Sequence, residues 1–260
     1  DLLFDGCSLV AWPDGTVVIA PAWQEGVLLV DLDIPENSKW VGMEENDALL
    51  VGTDKMKTLT YDVDGSEDLD SLIEDITDAV ITGLADYCRK SGIKQIVLGL
   101  SGGIDSAVAA CVACAAVGPN NVLGIAMPSR FSSQHSLDDA EYTAKALGME
   151  FKIQPIDDMH SALEGQIIDV LDNGNPVASE NIQSRLRGII VMAHANAQSR
   201  MAIATGNKSE LAQGYCTLYG DMAGGYTPLG DLYKMQVYAL AEIFNQRAKQ
   251  NGLEPPVNQS

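Results

Sequence analysis

Ile96-Val97-Leu98-Gly99-Leu100-Ser101-Gly102-Gly103-Ile104-Asp105-Ser106 is the stretch that decides the fold. It begins as a short β-branched apolar run and ends as two glycines set among hydroxyls and one carboxylate. A buried strand that opens through glycines into a helix makes a phosphate cradle. Glycine lets the backbone come close to anionic oxygens, and the first N–H groups of the helix then face them with the helix dipole behind. Ser101 and Ser106 add hydroxyl donors. Asp105 is out of place in such company, because a carboxylate beside phosphates is repulsive unless a cation lies between them; that makes it a candidate Mg²⁺ ligand. No lysine follows the second glycine, so the loop is not a Walker A loop. Taken alone, the hexapeptide also reads as a strand–turn–helix junction with Asp and Ser as caps.

Working outward, strands and helices alternate. Upstream, Leu72, Ile73, Ile76, Val80, Leu84 and Tyr87 recur at helical spacing between Leu69 and Arg89, and Gly92 stands just past the helix end. Downstream the pattern predicts a helix over 105–117, a strand over 122–126, a helix over 136–147, a strand over 151–156, helices over 158–172 and 181–199, a strand over 201–204 and a helix over 231–248. This is an α/β chain, a doubly wound parallel sheet with helices on both faces. Ligands in such sheets bind beyond the carboxyl ends of the strands. The glycine loop lies at one such end and Thr205-Gly206-Asn207 at another.

The start of the chain differs. Residues 1–33 read as short β elements: Leu9 to Trp12, a turn at Pro13-Asp14-Gly15, Val17 to Ile19, and a second run from Val27 to Leu32. Residues 34–67 are polar and irregular, and the character changes near Gly65-Ser66. The organisation expected is a β fragment over 1–45, a linker over 46–67 and the α/β domain over 68–260. Asp1 in place of an initiating Met implies that residues precede it, and Pro255-Pro256 to Ser260 reads as an incomplete end.

Composition narrows the function classes. Sixteen basic against thirty-six acidic side chains give a net charge of −20, which argues against a duplex-binding protein. An acidic protein still binds nucleotides through backbone N–H groups, a few basic side chains and Mg²⁺. No stretch is long and apolar enough to span a membrane, so no membrane partner is expected. Cys7, Cys88, Cys111, Cys114 and Cys216 are odd in number and irregular in spacing, which fits a reducing, cytoplasmic setting. Cys111 and Cys114 form a C-x-x-C pair within Ala109 to Ala115, and they suit a small-residue core face better than metal or redox chemistry. His135, His160 and His194 fit no catalytic triad and read as structural.

The S-G-G-x-D-S loop resembles that of the ATP pyrophosphatase superfamily, which spans asparagine, GMP and NAD synthetases and tRNA thiolation enzymes. Four further stretches are similar to the glutamine-dependent NAD⁺ synthetases within it: Met127-Pro128-Ser129 with Ser132-Ser133 and Ser136 to Ala140, Glu180-Asn181-Ile182-Gln183-Ser184-Arg185-Leu186-Arg187, Ala204-Thr205-Gly206-Asn207-Lys208-Ser209-Glu210, and Tyr219-Gly220-Asp221 through Leu232-Tyr233-Lys234-Met235-Gln236. The likeness runs over about residues 68–248. It implies a Rossmann-like ATP pyrophosphatase fold. It also implies that Ser101, Gly102, Gly103, Asp105, Ser106, Met127, Ser129, Thr205 and Lys234 bind ATP and pyrophosphate. Asn181, Arg185, Arg187 and Asp221 would bind the dinucleotide, Asp105 and Glu210 would share Mg²⁺, and Asp105, Lys234 and Asp221 would carry catalysis.

The reaction implied is ATP-dependent amidation of nicotinic acid adenine dinucleotide (deamido-NAD) to NAD through an adenylated intermediate. AMP and pyrophosphate leave, and ammonia is supplied free or from glutamine. A homodimer or higher homo-oligomer is implied as well. Phe4-Asp5-Gly6-Cys7-Ser8-Leu9 and the β runs after it look like the tail of a nitrilase-fold glutaminase domain, whose catalytic Glu, Lys and Cys would lie upstream; Cys7 is not at the nucleophile's place. The loop by itself leaves other readings open: a GMP-forming or tRNA-modifying ligase of the same superfamily, or a nucleotide-binding remnant without activity.

Overall fold

A computed structural model describes residues 6, 8–11, 17–23, 27, 29–30, 69–171 and 177–258. The chain divides into two compact units, residues 1–68 and 69–260. In the first, β1 (Leu9–Ala11) and β2 (Val17–Ile19) pair antiparallel, with Val10 opposite Val18. Val27, Leu29 and Val30 carry no strand. The turn expected at Pro13 to Gly15, the rest of the run to Leu32 and the linker over 46–67 lie outside the described residues.

The second unit is built around β3 (Ile96–Gly99), β4 (Val122–Ala126), β5 (Glu150–Ile153) and β6 (Met201–Ala202), all parallel in the order β5-β4-β3-β6. Side chains along β3 alternate between two cores. Ile96 and Leu98, with Leu100 just beyond, bury against α1 (Leu69–Lys90), α2 (Ile104–Val117) and α8 (Lys234–Gln250). Val97 faces the other way, toward Ile190, Val191 and Ala195 of α6 (Val177–Gln198). A strand covered on both faces needs a continuous apolar run, which is what 96–100 supplies. Every residue of α2 from Ser106 to Cys114 is buried, and its alanines, valines and cysteines let it lie close to the sheet. Cys111 and Cys114 belong to this core, with the Cys114 thiol 3.8 Å from the Met149 sulfur. Burial pushes the Cys114 thiol up to about 12 and raises the Cys111 thiol well above the ordinary thiol range.

The remaining helices are α3 (Gln134–Leu147), α4 (Asp157–Gln166), α5 (Ile168–Leu171) and α7 (Lys208–Gln213). The helix expected over 158–172 is therefore two pieces, broken at Ile167, whose backbone leaves helical values at φ −126° and ψ 26°. The helix expected from 181 starts at Val177. The last helix starts at Lys234 rather than 231, because Tyr233 is extended and its N–H is taken by Gln236 Oε1 at 2.8 Å. The strand expected over 201–204 is paired in register with β3 at Met201 and Ala202, the Ile203 N–H still donates to Val97 O at 3.0 Å, and the segment around Gly225 and Tyr226 hydrogen-bonds the opposite edge at Ala202 and Ala204. The chain runs β3, β4, β5 in one direction across the sheet and then returns to place β6 on the far side of β3. That reversal creates a crevice between the carboxyl ends of β3 and β6, where such sheets take their ligands.

Candidate active site

The glycine loop sits at that crevice with its serines turned inward. The Ser106 hydroxyl donates to Gly103 O at 2.8 Å and receives the Ser101 N–H at 3.1 Å, while Ser101 Oγ accepts the Gly103 N–H at 3.2 Å. Ser106, 2% exposed, thus holds the loop's shape from within. Gly102 has φ +82°, and a Cβ there would stand 2.0 Å from the Ser136 carbonyl oxygen, so both its conformation and its packing against α3 require glycine. No side chain caps the start of α2 at Gly103.

In the first turn of α2, two motif residues meet on one carboxylate. Asp105 Oδ1 accepts the Asn207 amide at 2.8 Å, and Oδ2 is ion-paired to the Lys234 ammonium. Asn207 is fully buried and also forms a capping box at the start of α7: its Oδ1 accepts the Glu210 N–H at 3.1 Å, and Glu210 Oε2 accepts the Asn207 N–H at 3.0 Å. Asp105 and Glu210 are thus joined through a single residue. Among the described residues no group of three or more His, Cys, Asp or Glu could form a metal cage. Two carboxylates one bridge apart are the donor set that Mg²⁺ accepts when waters and substrate phosphates complete its shell, so the residues present fit that ion.

Beside the loop lies a cavity of about 400 Å³. Its walls come from the end of β3 (Gly99 to Ser101), the end of β4 (Ile125 to Pro128), the residues after β6 (Ile203 to Thr205), α3 (Ser136, Leu137), α6 (Arg187, Gly188, Val191) and the 220–223 segment. Arg187 reaches it with Nε bonded to the Met127 carbonyl at 3.1 Å, and burial pulls its guanidinium pKa down. Among the described residues its hydrogen bond goes to a neutral carbonyl, which leaves the charge of a half-buried cation for an anionic ligand.

The family model described as NAD synthase matches residues 76–254. The chain belongs to the NAD synthase family. It is 45% identical over 240 residues to a glutamine-dependent NAD(+) synthetase of Rhodobacter capsulatus, covering 92% of this chain and 40% of that protein. Among solved structures it is similar to a glutamine-dependent NAD⁺ synthetase from Acinetobacter baumannii in complex with ADP, with TM-score 0.71, 34% identity, and coverage of 78% of this chain and 37% of that one. It is likewise similar to an NH₃-dependent NAD synthetase from Campylobacter jejuni, with TM-score 0.62, 35% identity, and coverage of 66% and 73%. The chain spans less than half the length of the curated relatives it matches.

Against this NAD synthase frame, the residues singled out in the sequence fall into three places. Ser101, Met127, Thr205, Arg187 and Asp221 line the cavity. Asp105, Glu210 and Lys234 form the cluster at the head of α2. Asn181 and Arg185 lie outside the cavity lining, against the 217–221 turn: Asn181 Oδ1 accepts the Thr217 hydroxyl at 2.8 Å and Arg185 Nε donates to Leu218 O at 3.2 Å. Asp221 itself spends one carboxylate oxygen on the Thr217 N–H at 2.7 Å. Ser129 is 7% exposed, and Ser132 and Ser136 present the cavity wall in its stead. The residue that sequence reasoning missed is Asn207. Its spacing to Glu210 reads as a helix cap, which it is; that the same side chain bridges to Asp105 depends on a contact 102 positions away.

Proposed function

We propose that this chain carries the synthetase chemistry of its family: ATP-dependent amidation of deamido-NAD to NAD, with AMP and pyrophosphate released. The observation that carries the proposal is the convergence of Lys234 and Asn207 on Asp105 at the mouth of a phosphate-cradling loop, beside a cavity holding the Arg187 cation. ATP would lie in the cavity, its β- and γ-phosphates against the N–H groups of the loop and of α2. The nicotinate carboxylate attacks the α-phosphorus and the bond to pyrophosphate breaks. Ammonia then attacks the acyl carbon of the adenylate, loses a proton, and AMP leaves with the bonding pair. No covalent link to the protein forms.

The protein's part is positioning and charge neutralisation. Lys234, held by Asp105 with its ammonium 5.5 Å from the centroid of the Tyr238 ring, is placed to turn from that carboxylate to the departing pyrophosphate. Arg187 binds phosphate or carboxylate from the α6 wall, and Thr205 the nucleotide from the sheet end. Arg185, Asn181 and Asp221 hold the dinucleotide by way of the 217–221 turn. Asp105 and Glu210 would hold Mg²⁺, which supplies further neutralisation on the phosphates when bound.

We take the ammonia to come from glutamine in the longer relatives' manner, and the assembly to be a homodimer. Ile189 and Met192, three positions apart on α6 and 60% and 38% exposed, support an apolar contact face there. The test is NAD formation from deamido-NAD, Mg·ATP and ammonium. Release of AMP only with xanthylate or tRNA would assign the chain to another ligase. Tight binding of ATP and deamido-NAD without turnover would make it a sensor.

A further inference from the structure

The loop that follows β4 has two sides. Pro128 and Ser132 face the cavity. On its other side Arg130 reaches α4, where its N–H bonds Asp157 Oδ1 at 2.8 Å and its Nη2 lies 3.1 Å from His160 Nδ1, 3.3 Å from Ser161 Oγ and 3.3 Å from Glu164 Oε2. His160 is 1% exposed, so its ring has no water to fall back on. A guanidinium only donates, which makes Nδ1 the acceptor and puts the ring proton on Nε2. That nitrogen lies 3.4 Å from Ser179 Oγ and 3.4 Å from Glu164 Oε1. Ser179 stands in the first turn of α6, the helix whose Arg187, Gly188 and Val191 form the opposite wall of the cavity. The Ser179 hydroxyl, 2.7 Å from Glu164, is the main reason that this carboxyl titrates below its usual range, so Glu164 stays an acceptor for both partners.

We infer that His160 is a positioning residue: as a neutral ring it couples the 128–133 loop, through Arg130, to the start of α6, and so sets the spacing of the two cavity walls that take ATP. The inference rests on the reading of the cavity as the ATP site. A histidine that only filled space would need neither an acceptor toward Arg130 nor a defined tautomer.

The ring's two nitrogens can be separated by substitution. His160→Asn keeps an acceptor near the Nδ1 position and loses the Nε2 side; His160→Gln does the reverse. Arg130→Met removes the donor from a half-exposed site and guards against loss of folding in the buried variants. In the intact protein, steady-state kinetics with ATP varied should show His160→Gln and Arg130→Met raising KM for ATP about 5- to 20-fold, the loss of one charge-assisted hydrogen bond, with kcat within about twofold. His160→Asn should raise KM for ATP to a similar extent with kcat again within about twofold, because the link to Ser179 and α6 is lost even though the Arg130 acceptor survives. Amide exchange over residues 129–133 should quicken in the first two variants and not in the third. An unchanged KM in His160→Asn, or faster exchange in His160→Gln without a change in KM, would overturn the inference. A wild-type protein that binds no ATP would instead refute the ATP reading, and the exchange data would still show whether His160 holds the loop.

Discussion

Replacing Gly102 with alanine should damage the loop in two ways that add. Its φ of +82° strains any residue with a Cβ, at about 1–2 kcal/mol. The new Cβ would also stand 2.0 Å from the carbonyl oxygen of Ser136, 2.8 Å from its carbonyl carbon and 2.9 Å from its Cα. All three are backbone atoms, so no side chain can swing aside, and the loop or the start of α3 must shift by roughly 1 Å, an overpacking cost of about 1–3 kcal/mol. Together these should lower the thermal midpoint of the unit by roughly 5–15 °C. The same displacement moves the phosphate-facing N–H groups, which should cut kcat/KM for ATP by about 100-fold. Gly165 is the control: it lies in α4 with nothing within 4 Å of an added Cβ, so Gly165→Ala should raise stability by about 0.5–1 kcal/mol and leave turnover alone. Differential scanning calorimetry and a pyrophosphate-release assay on both variants decide the matter. A Gly102→Ala protein that melts with wild type and turns over with wild type would refute the geometry; one that melts early yet keeps full kcat/KM would refute the loop's role in holding phosphate.

Asp105→Asn should leave the fold intact and reduce pyrophosphate release by at least about 100-fold, as should Lys234→Met, because each removes charge aimed at the triphosphate; near-normal release by either would break the proposed site. The buried thiols give a pH signature. Since Cys114 titrates near 12 in the folded chain against 9.0 for an ordinary thiol, the unfolded state ionises first as pH rises, and stability should fall progressively between pH 9 and 12. At pH 8.5 iodoacetamide should alkylate Cys216 and spare Cys111 and Cys114, read residue by residue by mass spectrometry; ready alkylation of Cys114 in folded protein would contradict its burial. Ile189→Glu places a charge on the exposed face of α6 and should convert a dimer to monomer in sedimentation velocity, and an unchanged sedimentation coefficient would remove that face from the interface.

Much of this was readable in advance because the signals are local. The β-branched run at 96–100, the glycines after it and the small-residue helix from 105 each state their own environment, and the sheet follows from their alternation. Boundaries were less readable where another segment decides them: the edge of the 201–204 stretch away from β3 is taken by Gly225 and Tyr226 from later in the chain, and the final helix waits for Tyr233 and Gln236 to close its cap. The site shows the same division. Asp105, Arg187 and Lys234 stand out by charge in their motifs, but which of Ser129, Ser132 and Ser136 faces the cavity depends on how the loop turns, and the role of Asn207 depends on a contact between α2 and α7. His160 read in the sequence only as structural; its neighbours Arg130 and Ser179 come from opposite sides in sequence.

The central claim is that the glycine loop, the Asp105–Asn207–Lys234 cluster and the Arg187 cavity together adenylate a nicotinate dinucleotide. Incubation of the protein with deamido-NAD, Mg·ATP and ammonium, with products resolved by chromatography, tests it most directly. One AMP and one pyrophosphate per NAD formed, with AMP release dependent on deamido-NAD, is the result expected. ADP and phosphate as products, or AMP release indifferent to the dinucleotide, would contradict it.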